Sequence, residues 1–225
     1  MNKLSLPVVT LDYPENLNNG VMICGINFGY DSKEEKLDRM GTATQIDAPS
    51  FFSDKTVNNT RFRNRLVKWF NSWGMKLSAD AVNLTATDKA FYQTNWLNTQ
   101  TKSINSDEKI TIDTLIADSA IDPLLALIEV RKPQAIVFVG KMLIEAFNDI
   151  RIRDKVENLL GKRPGNAKIH KGNSAAGGRA FSILSQVFGE TTIICLPHTN
   201  SIGLTDAYMA DINLPTEIIA ALNGK

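Results

Sequence analysis

Two polar residues, each placed just after an apolar run, are the strongest candidates for chemistry in this sequence. Asn27 follows the run Val21–Cys24, and His198 follows the run Thr191–Leu196. An asparagine amide offers both a donor and an acceptor, and an imidazole can donate a hydrogen bond to a developing negative charge. Taken singly, each residue also fits a structural role, Asn27 as a turn residue and His198 as a loop histidine. The two side chains can form a site only if the surrounding strands and helices bring them together.

Four short runs predict the strands that would position these side chains. Three of the runs are apolar, and the fourth is rich in β-prone residues. Parallel strands present functional groups at their carboxyl ends, so we expect Asn27, Asn95 and His198 to share one crevice. The predicted strands are Val21–Ile26, Phe91–Leu97, Ala135–Val139 and Thr191–Leu196.

Helical patterns separate these strands. The first helix is predicted from an N-cap at Asn59 or Thr60 to Gly74, with apolar residues recurring at spacings of three and four. The alternation predicts an α/β fold, a three-layer α/β/α sandwich with a central, mainly parallel four-stranded sheet, in one domain over residues 1–225. The other predicted helices cover residues 113–131, with a break expected at Asp122-Pro123, and residues 141–148, 153–160, 180–188 and 215–222.

Composition narrows the class of protein. Of the 225 residues, 43% are hydrophobic, which is enough for one sizeable core, and the net charge of +1 argues against a strong non-specific polyanion binder. No run approaches the roughly 18 apolar residues of a membrane helix, and the N-terminus lacks the apolar centre of a secretory signal. Cys24 and Cys195 lie in apolar runs and are expected to be buried free thiols. We expect a cytoplasmic monomer with no membrane partner, no metal and no cofactor.

Two basic regions have both a structural and a functional interpretation. The first lies off the apolar face of the predicted first helix, and the second is a glycine-rich stretch over residues 161–180. Each would form either a solvated surface or contacts to a phosphate backbone. The residues concerned are Arg61, Arg63, Arg65 and Lys68 in the helix, and Lys162, Arg163 and Lys171 in the glycine-rich stretch.

In their order along the chain, four segments resemble the motifs of the uracil-DNA glycosylase superfamily. Gly25-Ile26-Asn27-Phe28-Gly29 is similar to the first motif, especially to that of the thymine-DNA glycosylase and single-strand-selective branches, which carry Gly-x-Asn-Pro-Gly. Leu196-Pro197-His198-Thr199-Asn200-Ser201 resembles the last motif, which is usually His-Pro-Ser-Pro. The pairs Phe51-Phe52 and Thr94-Asn95 fall where the family has a stacking ring and a base-reading asparagine.

Three departures from the family pattern are plain in the sequence. Phe28 stands in place of the usual proline of the first motif, and Thr199 stands in place of the proline after the histidine. The cysteines that hold an iron–sulfur cluster in some branches are absent, which agrees with the count of two cysteines. The first two departures leave open a non-catalytic relative that keeps the fold and binds DNA.

The resemblance implies a role for each candidate residue. Asn27 would orient the attacking water through its side-chain carbonyl, and His198 would donate to the oxyanion that develops on the departing base. A flipped base would be stacked by Phe52 or Phe51 and read at its edge by Asn95. Further implied contacts are Tyr30 and Asp31 to the base or the water. Asn200, Ser201 and Ile202 lie in the loop that would enter the DNA groove, with Ile202 or Leu204 as the apolar wedge.

These observations predict a DNA glycosylase that hydrolyses the N-glycosidic bond of uracil or another abnormal or modified base in DNA. The length of the stretches 31–60 and 161–180 favours a pocket enlarged for a modified base. One alternative is a non-catalytic DNA-binding protein of the same fold. Another is an unrelated nucleotide-binding domain, although the sequence lacks the glycine and lysine spacing of a phosphate loop.

Overall fold

The computed structural model describes residues 6–7, 9–29, 60–78, 83–98, 100–101, 110–172 and 180–223. Within these residues, strands and helices follow one another along the chain. The strands are β1 (Val21–Gly25), β2 (Phe28–Gly29), β3 (Phe91–Asn95), β4 (Gln100–Thr101), β5 (Ala135–Val139), β6 (Lys168–His170), β7 (Ile183–Phe188) and β8 (Thr191–Leu196). The helices are α1 (Pro14–Leu17), α2 (Arg61–Ser72), α3 (Ala86–Ala90), α4 (Ile112–Ile116), α5 (Asp118–Arg131), α6 (Lys141–Phe147), α7 (Arg153–Leu160), α8 (Asp206–Ala210) and α9 (Thr216–Leu222), with a 3₁₀ turn at Ile150–Ile152.

Six of the strands form one mixed sheet in the order β3-β1-β5-β8-β7-β6. The strands β3, β1, β5 and β8 are parallel, whereas β7 is antiparallel to β8 and β6 is antiparallel to β7. The predicted α/β fold is confirmed. The prediction of a mainly parallel sheet of four strands is wrong, because two antiparallel strands extend the four parallel ones. A separate pair, β2 and β4, runs parallel beyond the ends of β1 and β3.

Two clusters of buried side chains cover the two faces of the sheet. Because neighbouring residues of a strand point to opposite faces, Met22 and Cys24 of β1 belong to one cluster, and Val21 and Ile23 belong to the other. Residues of α4, α5, α6 and α7 complete the first cluster, and residues of α2, α8 and α9 complete the second. Each face of the sheet therefore carries helices, and the core lies on both sides of the central strands.

The stretch predicted as a helix at residues 180–188 forms the strand β7 instead. It pairs with β8 through a two-residue turn at Gly189-Glu190, where Gly189 has a φ of +52°. Glycine adopts such φ values without strain, so the turn folds the two strands back on each other. The short strand β6 then pairs with the outer edge of β7, inside the glycine-rich stretch 161–180.

Most of the remaining helices lie close to their predicted positions. The Thr60 hydroxyl accepts a hydrogen bond from the backbone N–H of Arg63 at 3.2 Å and caps α2 as predicted. The helix predicted at residues 113–131 is broken at Ala117, where ψ is 139°, and not at Pro123, which lies inside α5. In the part of the chain described above, no helix combines the length and the apolar character that membrane crossing requires.

Candidate functional site

The carboxyl ends of the four parallel strands lie side by side, and we refer to this end of the sheet as its carboxyl edge. Asn27 and His198 each lie two residues beyond a strand end, and β5 is the single strand between β1 and β8. Neighbouring strands are about 4.8 Å apart, so β1 and β8, which lead to these two side chains, are separated by roughly 10 Å. Asn95 is the last residue of β3, on the other side of β1. The structure thus brings all three residues to one edge.

The backbone on both sides of Asn27 is fixed by neighbouring strands. Before it, the backbone N–H of Leu97 donates to the Ile26 carbonyl at 2.9 Å, and after it, Phe28 pairs with Gln100 between β2 and β4. The Asn27 side chain itself is half-buried. Because both flanks are hydrogen-bonded, the backbone that carries Asn27 is held in a defined position at this edge.

Asn95 lies directly beside the end of β1. It pairs in register with Gly25 and is 5% exposed. Its Oδ1 is so close to the Gly25 backbone that a Cβ on Gly25 would overlap it. The Asn95 side chain therefore packs against the end of β1, the strand that leads to Asn27.

Gly25→Ala is expected to displace the Asn95 amide and to lower the free energy of unfolding by about 1–3 kcal/mol, the usual effect of overpacking. The new methyl group would occupy the space that Asn95 Oδ1 fills. Urea unfolding of the wild type, Gly25→Ala, Asn95→Ala and the double variant measures the effect. In the Asn95→Ala background the change at Gly25 should destabilise clearly less, because the overlapping amide is gone. Equal losses in both backgrounds would contradict this contact.

The His198 ring is held in one tautomer by its own loop. The backbone N–H of Asn200 donates to His198 Nδ1 at 3.2 Å, so Nδ1 is unprotonated and the neutral ring carries its proton on Nε2. Burial lowers the pKa of His198 below its ordinary value, because desolvation disfavours the charged ring. At neutral pH His198 therefore presents an Nε2–H donor without a positive charge.

The lowered pKa of His198 predicts a pH dependence of folding. An unfolded histidine titrates near about 6.5, so below that pH the unfolded chain binds a proton that the folded chain does not yet bind. The free energy of unfolding is therefore highest above about pH 6.5 and decreases as the pH falls toward the folded pKa. His198→Gln removes this contribution, so urea unfolding between about pH 8 and pH 5 should show a smaller decrease for the variant.

His170 supplies the internal comparison for this measurement. Burial, together with the charge of Lys168, lowers the pKa of His170 as well, so the His198→Gln variant keeps part of the decrease. Stability curves of the wild type and the variant that run parallel over the whole range would show that His198 is not desolvated.

The loop after His198 is anchored by Arg65, a residue of α2 that is distant in sequence. Arg65 is 7% exposed, and its guanidinium donates to the carbonyls of Thr199 and Leu204, the second at 2.8 Å. Its Nε donates to Asp206 Oδ1 at 2.9 Å. Arg65 thus holds both ends of the segment that follows His198.

We refer to residues 199–206 below as the His198 loop. Trp69 strengthens the attachment of this loop to α2. Its Nε1–H donates to Asp206 Oδ1 at 2.9 Å, and the Arg65 guanidinium lies 4.9 Å from the centre of the Trp69 ring. Burial raises the pKa of Asp206, but the hydrogen bonds from Arg65 and Trp69 outweigh it and bring that pKa below its ordinary value. The carboxylate is therefore charged at neutral pH and ties the start of α8 to α2.

The burial of Arg65 was not expected from sequence, where the basic residues of α2 were assigned to a solvated surface or to phosphates. Arg63 and Arg65 are 1% and 7% exposed, so the prediction is wrong for these two. Arg61 and Lys68 are exposed. The signal that could have identified Arg65 is its spacing of four to Trp69, which places a guanidinium next to an aromatic ring one helical turn away.

A cavity of about 550 Å³ opens beside His198, toward β7 and β6. Its lining includes Ser201 and Ile202 of the His198 loop, and Lys171, which follows β6. Ile202 is 92% exposed, and the neighbouring Asn200 is exposed as well. The structure therefore gathers His198 and three of the residues predicted to contact DNA, Ser201, Ile202 and Lys171, around one opening.

Lys162 and Arg163, which were also predicted to contact DNA, lie at the opposite end of the sheet, where the parallel strands begin. They follow α7, and the adjacent Gly161 lies close to Gly189 in the β7–β8 turn. The Arg163 guanidinium is half-buried and donates to the Asn148 carbonyl at 2.8 Å, and burial lowers its pKa. The structure does not bring these two residues to the edge that carries His198.

Four predicted base contacts, Tyr30, Asp31, Phe51 and Phe52, lie outside the described residues and stay predictions. Among the described side chains, no group of three or more His, Cys, Asp or Glu residues is arranged to hold a metal ion.

The two cysteines are free and buried, as predicted, at 0% exposure for Cys24 and 2% for Cys195. Burial raises the pKa of both thiols, that of Cys195 to about 12. Neither thiol is a nucleophile near neutral pH, because the thiolate is the reactive species.

No protein-family model matches this chain, and no curated protein matches it. The geometry defines an α/β protein with a polar site at the carboxyl edge of its sheet. The function must therefore be inferred from that site and from the resemblance of its motifs.

Proposed function

We propose that this protein is a DNA glycosylase, which hydrolyses the N-glycosidic bond of uracil or another abnormal base in DNA and leaves an abasic site. The observation that carries the proposal is the position of Asn27 and the neutral His198 at one sheet edge, beyond the ends of two strands that are separated by β5. Asn95 lies at the same edge, where its Oδ1 packs against Gly25 at the end of β1. These groups match the needs of the reaction: a positioned water, a donor for the leaving base, and a contact to the base edge.

In the proposed reaction, the bond between C1′ of the sugar and the base nitrogen breaks, and its electron pair leaves with the base. His198 Nε2–H donates to the base oxygen on which negative charge develops. Because the pKa of His198 is lowered, the ring is neutral at physiological pH, and the same donor species acts throughout that range. Through its side-chain carbonyl, Asn27 orients the water molecule that adds to C1′. The proton released by this water passes to solvent. An amide does not usefully titrate, so Asn27 acts by position.

The Arg65 anchor supports this function despite a departure from the family pattern. Thr199 stands where the family carries proline, a residue that restricts the backbone. Here Arg65 binds the Thr199 carbonyl, so hydrogen bonds hold the His198 loop in place of the ring of a proline.

The cavity beside His198 supports a base larger than uracil as the substrate. Its volume of about 550 Å³ falls within the range of about 300–1,000 Å³ that is typical of small-molecule sites. A bare pyrimidine needs far less space. We therefore propose a base with a bulky substituent, such as a modified cytosine, with DNA as the partner.

The finer features of the fold and setting are part of the same proposal. The buried clusters on both faces of the sheet support a three-layer α/β/α sandwich. Two buried free cysteines agree with a reducing compartment such as the cytoplasm. A monomeric state stays a prediction.

Base release from labelled oligonucleotides tests the proposal. The substrates carry uracil, thymine opposite guanine, or hydroxymethylated or glucosylated cytosine, and alkali converts each abasic site to a strand break. Release of any of these bases, lost in Asn27→Ala, would establish a glycosylase and name its base. Binding of DNA without release would favour a non-catalytic relative, the alternative that Phe28 and Thr199 raise. The absence of both base release and DNA binding would contradict the resemblance.

A further inference from the structure

We propose that the exposed face of α2 is a binding site for the phosphate backbone of DNA, beside the His198 loop. The site lies apart from the sheet edge where the reaction takes place, and it rests on the proposed function for the identity of its partner. Arg61, Asn64 and Lys68 form this face, because their spacings of three and four place them on one side of the helix. We refer to these three residues below as the α2 face.

A groove of about 570 Å³ separates the α2 face from the His198 loop. Arginine, lysine, asparagine, threonine and aspartate side chains make up most of its lining, so it suits a charged and extended ligand. The lining residues are Arg61, Asn64, Arg65 and Lys68 from α2, and Leu204, Thr205 and Asp206 from the loop and the start of α8.

The groove carries an excess of positive charge. Its three basic residues face a single carboxylate, Asp206, whose Oδ1 accepts hydrogen bonds from Arg65 and Trp69 at 2.9 Å. Lys68 Nζ lies 3.5 Å from Asp206 Oδ2, and the Lys68 side chain is 68% exposed. Arg61 makes no ion pair with any residue of the described part of the chain. Since an exposed ion pair stabilises little, Lys68 and Arg61 can turn to a phosphate with little loss.

The position of the groove identifies a nucleic-acid backbone as its ligand. Ile202, which is 92% exposed, lies on the same loop, and the wall of the groove begins two residues later at Leu204. A base that leaves the stack and reaches His198 keeps its flanking phosphates outside the site, along this loop. Cations at helical spacing then neutralise phosphates and fix the position of the strand without reading its sequence.

The salt dependence of DNA binding tests this site. Fluorescence anisotropy with a short labelled duplex of normal bases measures binding in the absence of base release. The slope of log K against log salt concentration should become shallower by about 0.9 in Arg61→Gln and in Lys68→Gln, and by about twice that in the double variant. Lys132→Gln removes an exposed lysine just before β5, at the opposite edge of the sheet, and should leave the slope unchanged.

The outcomes separate this proposal from the proposed function. Unchanged slopes in Arg61→Gln and Lys68→Gln would overturn the phosphate site, even if base release persisted. Shallower slopes in a protein that releases no base would support the site and contradict the glycosylase. Failure of the wild type to bind either the duplex or its single strands would overturn the site. Thermal unfolding of each variant confirms that the substituted, exposed positions leave the fold intact.

Discussion

His198→Ala is expected to lower the rate of base release about 100- to 1,000-fold while DNA binding stays close to that of the wild type. The Nε2–H of the neutral ring meets negative charge only as the bond to the base breaks, so its removal raises the barrier more than it weakens binding. Single-turnover release from the preferred oligonucleotide, together with anisotropy on the same strand, measures the two effects separately. His198→Gln keeps an amide donor at this position and should retain part of the rate.

His170 provides the matched control for this prediction. Its Nε2 forms a hydrogen bond with the Ser185 hydroxyl at 2.7 Å, between β6 and β7, and takes no part in the proposed reaction. His170→Ala should therefore release base at nearly the wild-type rate. A fully active His198→Ala variant, or a loss of the same size in His170→Ala, would contradict a role of His198 in base release.

Arg65→Met is expected to produce the largest loss of stability that the site region offers. The substitution leaves the carbonyls of Thr199 and Leu204 without their donor, and a buried unsatisfied group costs roughly 1–3 kcal/mol each. Methionine keeps most of the side-chain volume, so the loss reports hydrogen bonds and charge more than packing. Urea unfolding measures the change. Arg65→Lys should recover part of the stability, because one ammonium cannot reach all the acceptors of a guanidinium.

A second readout shows whether Arg65 positions the His198 loop or only stabilises the fold. The chain has two histidines, so proton NMR of the imidazoles gives two signals to follow. Arg65→Met should shift the His198 signal and its titration and leave those of His170 in place. Lys68→Met breaks only an exposed ion pair to Asp206 and should change stability by less than about 1 kcal/mol. A His198 signal unaltered in Arg65→Met would show that the anchor does not reach the ring.

The central strands were predictable from sequence because their buried apolar residues are consecutive along the chain. Ala135–Val139 and Thr191–Leu196 are apolar runs, and the structure gives both strands those bounds. The strand β7 was not predictable in this way, because it contains Ser185 and Gln186, which are 4% and 5% exposed. Gln186 is satisfied by the Gly165 carbonyl and by Asn148 Nδ2, which donates to its Oε1 at 3.0 Å. Partners this far along the chain leave no local pattern.

The candidate site likewise contains residues that the local sequence predicts and residues that it does not. Asn27, Asn95 and His198 were found because a strand end can be read from a run of apolar residues followed by a polar one. Arg65 was missed because its acceptors lie more than a hundred residues away, and its spacing of four to Trp69 is a weak local signal. The separation of Lys162 from the site was missed for a similar reason, since the direction of β6 and β7 decides which end of residues 161–180 faces His198.

The burial of the two thiols gives this protein a built-in reporter of sheet opening. Cys24 lies on β1 and Cys195 on β8, the strands that lead to Asn27 and His198. A thiol reagent reaches a fully buried sulfur only when the surrounding structure opens, so the rate of labelling follows that opening. Unequal labelling of the two cysteines would show that one side of the site opens before the other, with no substitution and no attached dye.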